Sequence, residues 1–324
     1  MNIRILFFIV LAGLLTNACT ESERSARQEP IPAKSLRDLG MTASNVFFYY
    51  DDVEAATNFY HDILGLRVTA DYGFAKIMEV STKSFITLVD ASMGMHSANE
   101  PKSTAIALIT DQLDGWWDYI STQDITLRST EFNPVDGRPH HGFVAIDPEG
   151  YFLEFERFNK HEENNLLMPI LDETATLYPE AGKSNVPPEL GFKATVVWFY
   201  YKDMERIQRF YEDVVGLDLL VDQGWTKIYQ VGPSGYFGLV DEQHGMHNFT
   251  EKKAVTMSFI TAQIDDWYVY LRDHDDVQMR SKNIEVKEEY RAFVAYDPEG
   301  YYLEWHVFND APINAEILKI IEAP

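Results

Sequence analysis

The chain repeats itself. Phe59-Tyr60, Gly65-Leu66 and Gly94-Met95-His96 return as Phe210-Tyr211, Gly216-Leu217 and Gly245-Met246-His247, each 151 positions further on. Lys76 and Lys227, Asp90 and Asp241, and Trp116 and Trp267 keep that spacing. Beyond them it becomes 150: Asp147-Pro148-Glu149-Gly150-Tyr151 returns as Asp297-Pro298-Glu299-Gly300-Tyr301, and Phe158-Asn159 as Phe308-Asn309. A register held this long means a duplicated domain. A domain of about 150 residues buries roughly two thirds of its chain's surface, so each copy can build a core without staples. The copies run over 44–159 and 194–309. The join, 160–193, holds Pro169, Pro179, Pro187 and Pro188, as a linker does, and 310–324 is left as a C-terminal tail.

Within a copy the hydrophobic period alternates. Residues 46–50 are aromatic and β-branched, which predicts a strand. From 53 to 64, Ala55, Ala56, Phe59, Tyr60 and Ile63 fall at helical spacing, and Gly65 is the stop signal. Short strands are predicted at 67–70, 75–80 and 84–89. The pattern then starts again: strand 104–110, helix 113–120 with Trp116 and Trp117, and strands at 126–128, 142–146 and 151–157. Asp147-Pro148-Glu149-Gly150 places Pro and Gly where a tight turn favours them. Each module is strand-helix-strand-strand-strand, twice. The fold class is therefore α+β, with tandem paired βαβββ modules forming curved mixed sheets, concave on one face and carrying helices outside.

Acidic residues outnumber basic ones, 51 to 27, for a net charge of −24 spread along the chain. Such a surface repels phosphate backbones and anionic lipid headgroups, so nucleic acid is excluded as a partner. There is one cysteine, Cys19, so no intrachain disulfide forms. Arg4 gives a short basic start, residues 5–15 are apolar or small, and Thr16-Asn17-Ala18 lead to Cys19, the order of a secretory signal. The apolar run is shorter than the ~20 residues that span a bilayer. The arrangement resembles a bacterial lipoprotein signal, with Thr16 where such signals usually carry Leu. It implies a signal peptide over 1–19, a lipidated Cys19, and a polar, proline-bearing tether over 20–43. The expected location is the bacterial cell envelope, with membrane contact through the lipid anchor only.

Two motifs, each present twice and in the same order, carry a further resemblance. Phe-Tyr-x-x-x-x-Gly-Leu stands at 59–66 and 210–217, and Asp-Pro-x-Gly-Tyr-x-x-Glu ends at Glu154 and Glu304. With these the chain resembles the vicinal oxygen chelate superfamily of glyoxalases, bleomycin-resistance proteins and extradiol dioxygenases. The resemblance implies a cup with a divalent metal on its floor, held from the first strand, the strand opening the second half, and the Glu of the last strand. Glu154 and Glu304 match that last position. Asn45 and Val196 stand where His, Gln or Glu is usual, and the strands opening near Ala105 and Thr256 bring no His. The usual triad is not intact in either module.

Alternation along the last strands puts Glu154 on one face with Phe152 and Glu156, and Glu304 with Tyr302 and His306. Phe47 and Tyr49, or Trp198 and Tyr200, of the first strands are expected opposite. A carboxylate among aromatics is driven toward its neutral form and suits general acid–base work, so Glu154 and Glu304 are the candidate catalytic residues. Trp198, Tyr200, Tyr302, Phe47, Tyr49 and Phe152 are the candidate ligand-binding residues. A less conventional cluster of Glu304, His306 and His247 has suitable chemistry for zinc, iron or manganese, against the plainer reading of Gly-Met-His as a loop-packing motif with Met95 and Met246 as plugs. The repeated Lys76, Lys227, Arg128 and Arg280 either pair with acids or meet an anionic ligand at the cup mouth. Three functions follow as expectations: binding of a small molecule in one or both cups, a metal-dependent lyase, isomerase or dioxygenase acting in the second module, or an envelope scaffold in which neither cup binds anything. The two modules are expected to pair within the chain.

Overall fold

The computed structural model describes residues 39–129 and 131–323. Cys19, the signal segment and most of the tether lie outside the described residues. The first half of module one is β1 (Met41–Tyr50), α1 (Val53–Leu64), β2 (Arg67–Asp71), β3 (Ala75–Ser81) and β4 (Ser84–Asp90). Its second half is β5 (Thr104–Ile109), α2 (Leu113–Ile120), β6 (Thr126–Leu127), β7 (His140–Ile146) and β8 (Phe152–Phe158), followed by α3 (Leu167–Glu173). Module two repeats this. Its first half is β9 (Ala194–Tyr201), α4 (Met204–Arg209, extended by a π turn over Phe210–Val214), β10 (Asp218–Asp222), β11 (Thr226–Gln230) and β12 (Gly235–Asp241). Its second is β13 (Val255–Thr261), α5 (Ile264–Arg272), β14 (Gln278–Met279), β15 (Glu285–Val286), β16 (Tyr290–Tyr296), β17 (Tyr302–Phe308) and α6 (Ala315–Glu322).

The repeat is longer than the motifs show. The stretch read as linker folds into a 3-10 turn and α3, and the stretch read as tail into a 3-10 turn and α6. Asn164 and Asn314 lock the two copies of this extension, each side-chain amide donating to two main-chain carbonyls. Leu167, Leu171 and Ile317 are buried. These helices are too short to display a clear period in a proline-bearing stretch. Strand β1 also begins earlier than its apolar run, because Ala43 is buried and pairs with Ile260.

The strands form two mixed sheets, and each sheet takes one half from each module. The nine-stranded sheet runs β14-β16-β17-β13-β1-β4-β3-β2, with β15 beside β16; the eight-stranded sheet runs β10-β11-β12-β9-β5-β8-β7-β6. The joins are antiparallel: β1 on β13 and β5 on β9. So the first half of module one shares its sheet with the second half of module two, and conversely.

The two repeated motifs work as structural locks. Asp52 caps α1 by accepting from the Ala55 amide, and Gly65 closes the helix at φ 72°, where a Cβ would also sit 2.7 Å from Pro179. Buried Asp147 accepts from the Tyr50 and Tyr60 hydroxyls at 2.6 and 3.1 Å, and from the Tyr151 and Glu149 amides at 2.8 and 3.0 Å. Tyr151 stacks on Phe48 at 4.0 Å, and its hydroxyl donates to the Ala254 carbonyl of the other module. Asp297 with Tyr201 and Tyr211, and Tyr301 with Ser103, repeat the arrangement. Outside the sheets, Trp116 lies flat on Phe192 at 4.5 Å. Aromatic pairs of this kind add about 0.5–1.5 kcal/mol beyond their burial.

Candidate functional site

Half-module exchange decides which residues meet. Phe47 and Tyr49 do not face Glu154, as their place in the same module suggested; they share a cup with Glu304, while Trp198 and Tyr200 share one with Glu154. The cup of the nine-stranded sheet has a volume of about 470 Å³, and that of the eight-stranded sheet about 110 Å³.

The difference in size is written in equivalent positions. In the wide cup, Asn45, Ser258 and Glu304 stand side by side across β1, β13 and β17. In the narrow cup the same row is Val196, Ala107 and Glu154 across β9, β5 and β8. Phe47 pairs in register with Thr87 of β4, whereas Trp198 pairs with Gly238 of β12. A Cβ on Gly238 would lie 2.0 Å from the Trp198 ring, so the indole occupies the space a side chain would fill. The narrow cup is thus closed by its own tryptophan.

Buried polar groups of β1, β4, β13 and β17 pair with one another on the floor of the wide cup, apart from His306 Nε2. The Asn45 amide donates to the Thr87 hydroxyl at 2.7 Å, and that hydroxyl donates back to Asn45 Oδ1 at 3.0 Å. Ser258 donates to Glu304 Oε1 at 3.0 Å, and His306 Nδ1 lies 3.1 Å from the same oxygen. Tyr49 reaches from β1 to the Thr256 hydroxyl at 2.8 Å. Burial raises its phenol far above the usual range, so it acts as a neutral hydroxyl.

In the narrow cup, burial and the neighbouring Glu156 push Glu154 up to about 8. The carboxyl lines the narrow cup and is half-buried there. Glu156 and His140 form an ion pair at 2.6 Å, and the coulombic pull of Glu156 raises His140 to about 9. The pocket that holds Glu154 also holds a charged pair with no room for a ligand of drug size.

The proposed cluster of Glu304, His306 and His247 is not assembled. Glu304 and His306 line the wide cup, but His247 lies against Phe152 at 4.1 Å and Tyr200 at 5.1 Å, on the other sheet. Because each Gly-Met-His loop follows the fourth strand of its half-module, exchange sends the two histidines to opposite cups. His96 occupies the matching place by the wide cup, against Tyr302 at 4.2 Å and Tyr49 at 5.0 Å. The glycines of the motif are explained as well: a Cβ at Gly94 or Gly245 would strike the ring of Tyr49 or Tyr200 at 2.7 or 2.5 Å. Tyr302 and Phe152 are the platforms for these histidines, and on each lies an arginine, Arg280 and Arg128, both at 5.1 Å. Lys76 and Lys227 are engaged by acids: Glu54 and Asp71 for the first, Asp222 for the second.

A metal fits this floor poorly. Catalytic divalent sites take three charged or imidazole ligands with an open position. Here Asn45 and Thr87 spend their polar atoms on each other, and Ser258 is a neutral hydroxyl committed to Glu304. One carboxylate and one imidazole remain. Among the described residues no three His, Cys, Asp or Glu side chains form a group that could hold a metal ion.

Each of the two sheets is assembled from two βαβββ halves, one from each module. Residues 42–161 match the model of the Glyoxalase/Bleomycin resistance protein/Dioxygenase superfamily, and the second module repeats the element order of the first. A provisionally assigned dioxygenase from Bacillus subtilis subsp. subtilis str. 168 is similar with a TM-score of 0.59 at 12% identity, over 87% of this chain and 90% of its own. Glyoxalase I from Zea mays is similar at 0.56 and 12%, over 86% and 95%. At such identities these likenesses establish the fold alone. No curated protein matches the chain by sequence.

Thr87, Ser258, His96 and Arg280 complete the wide cup. Ser258 and Thr87 carry a signal in the repeat itself, since their equivalents are Ala107 and Gly238. The contrast becomes informative only once the exchange of halves is known.

Proposed function

We propose that this chain is an envelope-anchored protein that binds a small aromatic or polar molecule in the wide cup without a metal, leaving the narrow cup structural. The observation that carries the reading is the unequal pair of cups. One has 470 Å³ between aromatic walls over a polar floor, and its twin is filled by Trp198. Sites of several hundred cubic ångströms, mostly apolar with a few polar anchors, are where small ligands bind. Phe47, Tyr49 and Tyr290 supply the walls, and Asn45, Glu304 and His306 the anchors.

Thermal unfolding of the purified chain against a panel of small aromatic acids, phenols and sugars tests this. Members that fit raise the transition temperature in proportion to the logarithm of their concentration, and the rise persists in excess chelator. Shifts that vanish with chelator and return with zinc, iron or manganese would restore the metalloenzyme reading. For anchoring, the expected outcome of Cys19→Ser in a bacterial host is transfer of the chain from the membrane fraction to the soluble one. A chain equally membrane-bound with and without Cys19 would remove the lipid anchor from the proposal.

A further inference from the structure

The walls of the wide cup carry ring faces that the chain's own cations leave bare. Phe47, Tyr72, Phe74 and Tyr290 line the cup and are half-buried, and Phe47 is the one residue of 43–50 that is not fully buried. Elsewhere half-buried rings are covered by charge: Lys202 and Lys253 lie over Phe249 at 3.9 and 4.2 Å, and Arg272 over Tyr268 at 5.8 Å. Among the described residues no lysine or arginine lies over Phe47, Tyr72, Phe74 or Tyr290. The face of an aromatic ring is the negative end of its quadrupole and attracts a cation within about 6 Å of its centre. Glu304 adds a carboxylate on the floor below them. The narrow cup lacks this cage, since Gln223 and His140 stand where Tyr72 and Tyr290 do.

The floor narrows the choice of cation. A primary ammonium brings three N–H donors, and each needs an acceptor once water is removed. Asn45 and Thr87 spend their polar atoms on each other, and Ser258 and His306 Nδ1 are turned to Glu304 Oε1. A quaternary ammonium has no N–H to satisfy; its methylated charge asks only for ring faces and a negative potential. The mouth carries the opposite sign. The Arg280 amide donates to the Val294 carbonyl at 2.9 Å, and Val294 pairs with Glu304, so Arg280 stands two strand spacings, about 10 Å, from Glu304 on the same cross-strand row. Lys287, also at the mouth, is paired with Glu285 at 3.1 Å, whereas Arg280 lies over the Tyr302 ring and pairs with no carboxylate among the described residues.

Resting on the reading that this cup binds a small molecule, we infer that its ligand is a quaternary ammonium compound carrying an anionic group, the chemistry of a choline phosphoester. The methylated nitrogen sits among Phe47, Tyr72, Phe74 and Tyr290 above Glu304, and the anionic group faces Arg280. The ring faces set the preference for a methylated nitrogen, Glu304 sets the sign of the buried charge, and Arg280 selects the second charge. No bond is made or broken.

Titration calorimetry of the full-length chain compares phosphocholine, choline and phosphoethanolamine. Phosphocholine is expected to bind. Choline, which lacks the anion, and phosphoethanolamine, whose nitrogen is a primary ammonium, should each bind about tenfold more weakly. This comparison needs no variant. Phe47→Leu should weaken phosphocholine and choline alike by about tenfold. Glu304→Gln, which keeps an acceptor for Ser258, should do the same, and Arg280→Ala should bring phosphocholine down to the affinity of choline. Phosphatidylcholine vesicles that displace phosphocholine, where phosphatidylglycerol vesicles do not, assign the chemistry to a lipid headgroup; no displacement assigns it to a free solute. Phosphoethanolamine or choline bound as tightly as phosphocholine overturns the inference, as does a chain that binds none of the three. If aromatic compounds or sugars of the thermal panel still stabilise that chain, the binding reading stands without this inference; if none does, both fail.

Discussion

Asp147→Ala is expected to cost on the order of 3–5 kcal/mol of stability. The carboxyl accepts from two phenols and two backbone amides at full burial. Each buried donor left without a partner costs about 1–3 kcal/mol, less where the void admits water. Asp147→Asn keeps an oxygen for the two amides and lets the phenols turn to accept, so about 1–2 kcal/mol is expected. Glu149→Ala, two residues away, gives up one exposed bond to the Asp51 amide and should fall below about 1 kcal/mol. Chemical denaturation of the three variants checks the order. A pH series adds a second readout. Burial pushes Asp147 and Asp297 up to about 6, against 3.8 for a free carboxyl. The native state therefore holds these protons more tightly than the unfolded chain does. Their contribution is fullest below the unfolded value and declines as pH rises from about 4 to about 6. Asp147→Asn flattens this decline; an unchanged slope would mean that Asp147 titrates normally in the fold.

That lock explains why the fold could be read from the chain. Phe-Tyr in α1 and the Asp-Pro-Glu-Gly-Tyr turn before β8 are far apart in sequence, yet they are one buried cluster, so both must be present for either to be useful. Local chemistry also placed α1 and α2 through their helical periods, and Gly65 marks where α1 stops. Local chemistry could not say which half-module lies beside which. The edges of β1 and β5 that receive β13 and β9 offer the same backbone groups to either copy, and both pairings satisfy alternation. For that reason Glu304 and His306 were legible as neighbours two residues apart on one strand face, while Phe47 and Asn45 could not be assigned to them. His247 was assigned to the wrong cup by the same gap. The tyrosine hydroxyls of Tyr151 and Tyr301, which donate to Ala254 and Ser103 of the opposite modules, fix the exchange at the start of β13 and β5.

Exchange also turns the duplication into an internal control, and the double substitution Phe47→Trp with Thr87→Gly uses it. These changes write the narrow cup's closure into the wide one at equivalent positions of β1 and β4. With no side chain at 87, an indole at 47 can lie where Trp198 lies, over a bare strand. The cup should shrink toward the 110 Å³ of its twin, and every ligand that stabilises the natural chain should lose at least about tenfold in affinity. Phe47→Trp alone behaves differently. The Thr87 side chain then occupies the site of the indole, and overpacking should cost about 1–3 kcal/mol. Gly238→Ala meets the same clash from the other side, its Cβ 2.0 Å from Trp198, and should be destabilised to a similar extent. Titration calorimetry with the best ligand of the panel, beside denaturation of the three variants, separates the two effects. If the double variant binds as tightly as the natural chain, the ligand sits outside the wide cup, and the polar floor of Asn45, Thr87, Ser258 and Glu304 is a structural network rather than a binding surface.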